Sequence, residues 1–188
     1  QFNWENTQGT NNQPISSNAF LTGNDYRPVD RSKCSGMNVI DMRMHMNFGE
    51  AGNAFWNGKD SDDSYCDATY NVVYVDSHDY GPNKSSVRYN GGTAAWAENM
   101  SLMWTFRGIP TLYYGSEIEF QKGITIDWCG ETCPLANTGR AYYGEHITGN
   151  ITASDFGVVS SASGNVATTM QQPLVKHLQR LNQIRRKI

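Results

Sequence analysis

No run of 18 or more apolar residues occurs in the sequence, so no segment reads as a membrane-spanning helix. Basic clusters are also missing. Apart from Arg185, Arg186 and Lys187, the Lys and Arg residues are scattered, and the net charge of −3 gives no stripe able to neutralise nucleic-acid phosphates. Neither nucleic acid nor membrane is therefore an expected partner. The opening Gln1-Phe2-Asn3-Trp4-Glu5-Asn6 lacks the basic start and apolar centre of a signal peptide, and the expectation is a chain that starts as an excised piece.

Charge of either sign is sparse too, at 18% of residues. Its place is taken by Asn, Gly, Ser, Thr and aromatic residues, among them five Trp and ten Tyr. Such a mixture suits a protein that stacks flat rings on the apolar faces of pyranoses and hydrogen-bonds their hydroxyl edges. It suits a loop-rich secreted protein equally well, and composition does not separate the two. At 188 residues the chain is long enough for one domain with a sizeable core.

The four cysteines, Cys34, Cys66, Cys129 and Cys133, are an even number. The close spacing of Cys129 and Cys133 before Pro134 fits a disulfide across a small loop, and Cys34 with Cys66 could form a second. A structural zinc site is the rival, but it would normally show paired knuckles or nearby His ligands, and Cys34 and Cys66 stand alone. Disulfides would place the protein in an oxidising, extracellular setting.

Along the chain, residues 1–36 read as irregular, punctuated by Gly9, Pro14, Gly23 and Pro28. Val39-Ile40-Asp41-Met42 is a short apolar run, with a helix expected through Met44, Met46 and Phe48. A polar loop containing Asp60, Asp62, Asp63 and Asp67 precedes Asn71-Val72-Val73-Tyr74-Val75-Asp76, which reads as a buried strand. A helix follows from Thr93, a plausible N-cap, with Trp96, Met100, Met103 and Trp104 on one face as core. Gly108-Ile109-Pro110 stops it, and Thr111–Gly115 is β-prone. Residues 116–170 read mostly as loop. From Pro173, the residues Leu174, Leu178, Leu181 and, more weakly, Ile184 mark an amphipathic helix packing on a sheet or barrel. Three strand-then-helix units in succession argue for a parallel α/β arrangement.

The segment richest in chemistry is Val72-Val73-Tyr74-Val75-Asp76-Ser77-His78-Asp79. A strand ending in Asp-Ser-His-Asp delivers two carboxylates and an imidazole to its C-terminal end, where parallel α/β folds bind ligands. The same residues could equally be an ordinary cap-and-turn cluster. Tyr74-Val75-Asp76-Ser77-His78-Asp79 resembles the fourth signature of glycoside hydrolase family 13, the α-amylase family, an aromatic residue followed by V-D/E-N-H-D at the end of the seventh barrel strand. Gly108-Ile109-Pro110-Thr111-Leu112-Tyr113-Tyr114-Gly115-Ser116-Glu117 is similar to that family's G-x-P-x-x-Y-Y-G-x-E segment around the eighth strand.

The resemblance implies a partial TIM-type (β/α)₈ barrel, roughly its last three βα units with long loops, over residues 37–188. A whole barrel takes about 250 residues. On the same basis Asp79 is the carboxylate that grips hydroxyls of the sugar being cleaved and stabilises an oxocarbenium-like transition state. His78 hydrogen-bonds the same sugar, and Arg88, matching a basic residue that often follows the signature, is expected to bind substrate as well. Ser77 departs from the usual Asn. The family's G-x-R-x-D nucleophile segment is not in this sequence, nor is the fifth-strand glutamate, and Glu98, Glu117 and Asp127 match neither role. Retaining hydrolysis needs both carboxyls, about 5 Å apart. The implied protein is thus part of a secreted enzyme cleaving α-1,4-glucans with retention, inactive by itself and completed by an N-terminal barrel portion or a second copy of the chain. A non-catalytic glucan-binding fragment and an inert fragment are the alternatives. No cofactor is expected in this chain. The resemblance allows calcium in the parent enzyme, held by a domain lying before this stretch of the chain, while the aspartates at 60–67 read as a solvated loop and His45, His146 and His177 as structural or solvated.

Overall fold

The computed structural model describes residues 40–41, 68–82, 85–154 and 158–187. The expected helix after Met42, the aspartate-rich loop, Cys34, Cys66 and the 1–36 segment all lie outside the described residues. The chain divides into two compact units, one holding residues 68–75 and 106–111 together with Ile40 and Asp41, the other holding the remaining described residues.

In the first unit, β1 (Val72–Val73) pairs in parallel with β2 (Ile109–Pro110), Val72 opposite Ile109 and Val73 opposite Pro110. Ile40 forms a parallel bridge to Val72 on the other side, so β1 is central among three parallel segments. Its centrality explains the unbroken apolar run, because Val73 and Val75 are almost fully buried. The second strand falls before the β-prone Thr111–Gly115 run. Pro110 can sit in it because the amides either side carry the ladder: Ile109 N–H donates to Asn71 O at 2.7 Å and Thr111 N–H to Val73 O at 2.8 Å. Gly108 enters the strand at φ +95°, and a Cβ there would lie 2.8 Å from Asn71 O and 2.9 Å from Val73 Cγ1. Gly108→Ala is therefore expected to destabilise the fold by about 1–3 kcal/mol from the backbone conformation alone, with the steric conflict in addition. Urea unfolding checks this, and an unchanged midpoint would contradict the tight approach.

The second unit is built on α1 (Thr93–Thr105), whose buried residues are the four expected from the sequence, Trp96, Met100, Met103 and Trp104. Thr93 is the first helical residue and not the cap. Its hydroxyl donates to Glu119 Oε2 at 2.7 Å, while Gly92 O accepts the first helical bond from Trp96 N–H. Residues 116–170 hold more regular structure than their sequence announces. An antiparallel hairpin joins β3 (Asn150–Ala153) and β4 (Val159–Ser163) with an irregularity at Thr152/Ala153, followed by the short helix α2 (Asn165–Met170). Every β3 residue is exposed, so no apolar alternation marks the strand.

Helix α3 (Pro173–Arg185) buries Leu174, Leu178 and Leu181, but Ile184 stays half-exposed. Its partner is α1. Trp104 Nε1–H donates to Asn182 Oδ1 at 2.8 Å and Arg185 Nη1 donates to Trp104 O at 2.6 Å. His177 Nε2 lies 2.8 Å from Ser101 Oγ and 3.1 Å from Ala97 O, a structural bridge between the two helices. Cys129 and Cys133 are joined as a disulfide. No helix among the described residues is long and apolar enough to cross a membrane.

Candidate functional site

Beyond Val75 the chain turns sharply, and Ser77 makes the turn. Its amide donates to Tyr80 O at 2.9 Å, and its hydroxyl oxygen accepts from the amides of Asp79 at 3.1 Å and Tyr80 at 3.4 Å. A short side chain with an acceptor oxygen is what this geometry requires. The turn directs Asp76 inward and His78 and Asp79 outward: Asp76 is 2% exposed, whereas the side chains of His78 and Asp79 are 65% and 55% exposed.

The inner layer is an ion pair set in polar wrapping. Arg88 Nη1 lies 3.5 Å from Asp76 Oδ2, and both side chains are 2% exposed. The guanidinium donates from Nε to Gly139 O at 3.1 Å, from Nη1 to Ser116 Oγ at 3.1 Å and from Nη2 to Tyr114 O at 2.7 Å. It also lies over the Tyr113 ring, 4.3 Å from the centroid. Ser116 donates its hydroxyl to Asp76 Oδ2, and its carbonyl accepts from Trp96 Nε1–H at 2.9 Å. Burial pushes the Asp76 carboxyl up from 3.8 to about 6, against the opposing pull of the Ser116 hydrogen bond and Arg88. The same burial lowers Arg88, with Asp76 the largest force in the other direction. Arg88 thus holds Asp76 and does not reach the surface where His78 and Asp79 stand.

The outer layer is organised by Arg140, a residue the sequence did not mark. Its Nε donates to His78 O at 2.7 Å, and its Nη2 reaches Asp79 Oδ1 at 3.3 Å and Asp127 Oδ2 at 3.0 Å. Asp79 Oδ1 also lies 3.2 Å from His78 Nε2. One guanidinium therefore clamps the turn by its backbone and bridges two carboxylates. Arg140 is itself fixed from below. Gly139 N–H donates to Thr125 O at 2.7 Å, and Arg140 N–H donates to Thr138 Oγ1 at 3.1 Å. A Cβ at Gly139 would sit 2.9 Å from Arg88 Cγ and 3.0 Å from Ile126 Cα, so the close approach of the two layers depends on glycine there.

Glu117 stands apart from this cluster, accepting a hydrogen bond from the Tyr143 hydroxyl. Burial, and next this carboxylate, push the Tyr143 phenol well above its ordinary range. Chemically, the outer layer offers acceptor oxygens from Asp79 and Asp127, donors from Arg140 and an imidazole that can do either. Such a constellation hydrogen-bonds vicinal hydroxyls. Among the described residues, no group of three or more His, Cys, Asp and Glu stands close enough to hold a metal ion. No protein-family model matches the chain, and no curated protein matches it either.

Proposed function

We propose that the chain is the C-terminal portion of the catalytic barrel of a secreted, α-amylase-type glycoside hydrolase acting with retention on α-1,4-glucans, and that His78 and Asp79 grip the sugar at the bond to be cleaved. The observation that carries this reading is the outward His78–Asp79 pair, placed by the Ser77 turn directly after a run of parallel strand and held by Arg140. Three further observations support it. Ile40, β1 and β2 pair in parallel, as consecutive strands of such a barrel would. The Gly-x-Pro segment supplies β2, and the Tyr-Tyr-Gly-x-Glu segment that follows it contributes Tyr113, Tyr114 and Ser116 to the wrapping of Arg88. The Cys129–Cys133 disulfide fits an oxidising compartment.

Asp79 acts here as a binding and charge-stabilising carboxylate. Bridged to Arg140, it offers lone pairs to hydroxyl protons and negative charge to a developing oxocarbenium ion. The nucleophile and the acid/base carboxyl are not supplied by any residue matched in this sequence, so the chain alone is expected to bind and not to turn over. Completion by an N-terminal barrel portion, or by a second copy, is part of the proposal.

Calorimetric titration with maltoheptaose tests it. The chain should bind saturably, Asp79→Asn should weaken binding by about tenfold or more, the scale of a lost hydrogen bond to a charged group, and neither should release reducing ends from starch. A folded chain that binds no α-glucan would sink the reading.

A further inference from the structure

Resting on that reading, we infer that Trp128 is the stacking floor of a second sugar subsite, one that takes a glucose unit of the same α-glucan beyond the unit held by Asp79. Trp128 is 69% exposed, an unusual place for the side chain with the most apolar surface to lose. Single exposed apolar residues are ordinary, and Leu135 and Ile147 are of that kind here. Trp128 differs from them in its support and in its neighbour.

The support is rigid on both sides. Two residues before it, Ile126 is fully buried, with its amide donating to Ser86 O at 2.9 Å, and Thr125 bridges Val87 in antiparallel register. Immediately after it, the Cys129–Cys133 disulfide closes a five-residue loop whose Cys133 amide donates to Gly130 O at 3.1 Å. An indole presented from a braced backbone loses little conformational freedom when a ligand covers it, and that favours binding.

The neighbour is Asp127, whose carboxylate bonds the same Arg140 nitrogen that bonds Asp79. Trp128 is therefore one peptide away from the polar chain Asp79–Arg140–Asp127. A sugar gripped at Asp79 would have its next unit running toward a group with two complementary parts, an apolar ring for the pyranose face and a carboxylate for its hydroxyl edge. Tyr142, 77% exposed and two residues beyond Arg140, adds a second ring close in sequence to the same guanidinium.

Titration of the whole chain with maltotriose and maltoheptaose, for wild type, Trp128→Ala, Trp128→Phe and Asp79→Asn, tests the inference. Trp128→Ala should weaken maltoheptaose and maltotriose about tenfold each, because a three-unit sugar held at Asp79 already reaches the next subsite, Trp128→Phe should recover most of the loss, and Asp79→Asn should weaken both sugars alike. Maltoheptaose should also shift the tryptophan emission of the wild type, and the Phe variant should lose that shift. If the wild type and Asp79→Asn behave as expected but Trp128→Ala binds maltoheptaose as tightly as wild type, the subsite is wrong and the proposed function stands. If the wild type binds neither sugar, both fail.

Discussion

Arg88→Met is expected to lower the unfolding free energy by about 3–5 kcal/mol, the scale seen when one partner of a buried ion pair is removed. The loss arises from what remains behind. Asp76, 2% exposed, would keep hydrogen bonds from the Ser116 hydroxyl and the backbone but lose its neighbouring cation, and Gly139 O and Tyr114 O would lose their donor. Adding Asp76→Asn to Arg88→Met should recover more than half of the loss, because the uncompensated charge disappears with the carboxylate. The pH dependence has a definite sign. The folded Asp76 carboxyl is raised from 3.8 to about 6, so between those values the folded state holds a proton that the unfolded state has released. Stability from this group is therefore lost as pH rises through that window, at a cost of up to about 3 kcal/mol above it. Without Arg88 the carboxyl rises further, so Arg88→Met should be hurt more at pH 8 than at pH 5. Urea unfolding at the two pH values decides the matter, and an equal loss at both would refute the ion-pair account.

Trp96→Ala should cost a similar amount, about 3–5 kcal/mol for an aromatic side chain removed from a core. Trp96 is 1% exposed and stacks on Tyr89 with centroids 4.6 Å apart and planes 16° apart. Its indole N–H is also the donor to Ser116 O, so it secures the serine whose hydroxyl serves Asp76. Trp96→Phe separates the two contributions. It keeps most of the ring and removes the hydrogen bond, and should cost about 1 kcal/mol from that bond in addition to the smaller apolar volume. Thermal unfolding of both variants checks the order, and a Phe variant as damaged as the Ala variant would mean that the hydrogen bond, not the packing, carries Trp96.

The extent to which each feature was readable follows from where its information lies. Helices α1 and α3 were legible because their buried residues recur at the helical period, a local pattern that needs no knowledge of the partner. Even so, the pattern could not say that α3 packs on α1, nor that Ile184 falls just off the buried face. The β3–β4 hairpin was illegible for the converse reason. An exposed strand carries no alternation, and its pairing is made by backbone groups that every residue shares. The shift of β2 to Ile109–Pro110 depends on which amides face β1, a matter of register and not of propensity.

At the site, the residues of one turn could be read from the sequence, because a strand ending in Asp-Ser-His-Asp has to place several polar groups where the chain leaves the sheet. His78, Asp79 and the turn-forming Ser77 belong to that local logic. Arg140 and Asp127 do not. Arg140 meets Asp79 across 61 residues and Asp127 across 13, and neither distance follows any period of helix or strand. Arg88 was legible as a basic residue near the motif, but its destination was not: only packing decides whether a guanidinium faces solvent or is enclosed by Tyr114 O, Gly139 O and Asp76. The sequence by itself thus determined the helical faces and the polar turn at residues 76–79, but not that Asp76 faces inward while His78 and Asp79 face outward. The tertiary structure decided their charge partners, because an ion pair is set by proximity in space, which the chain reaches only after its core has packed.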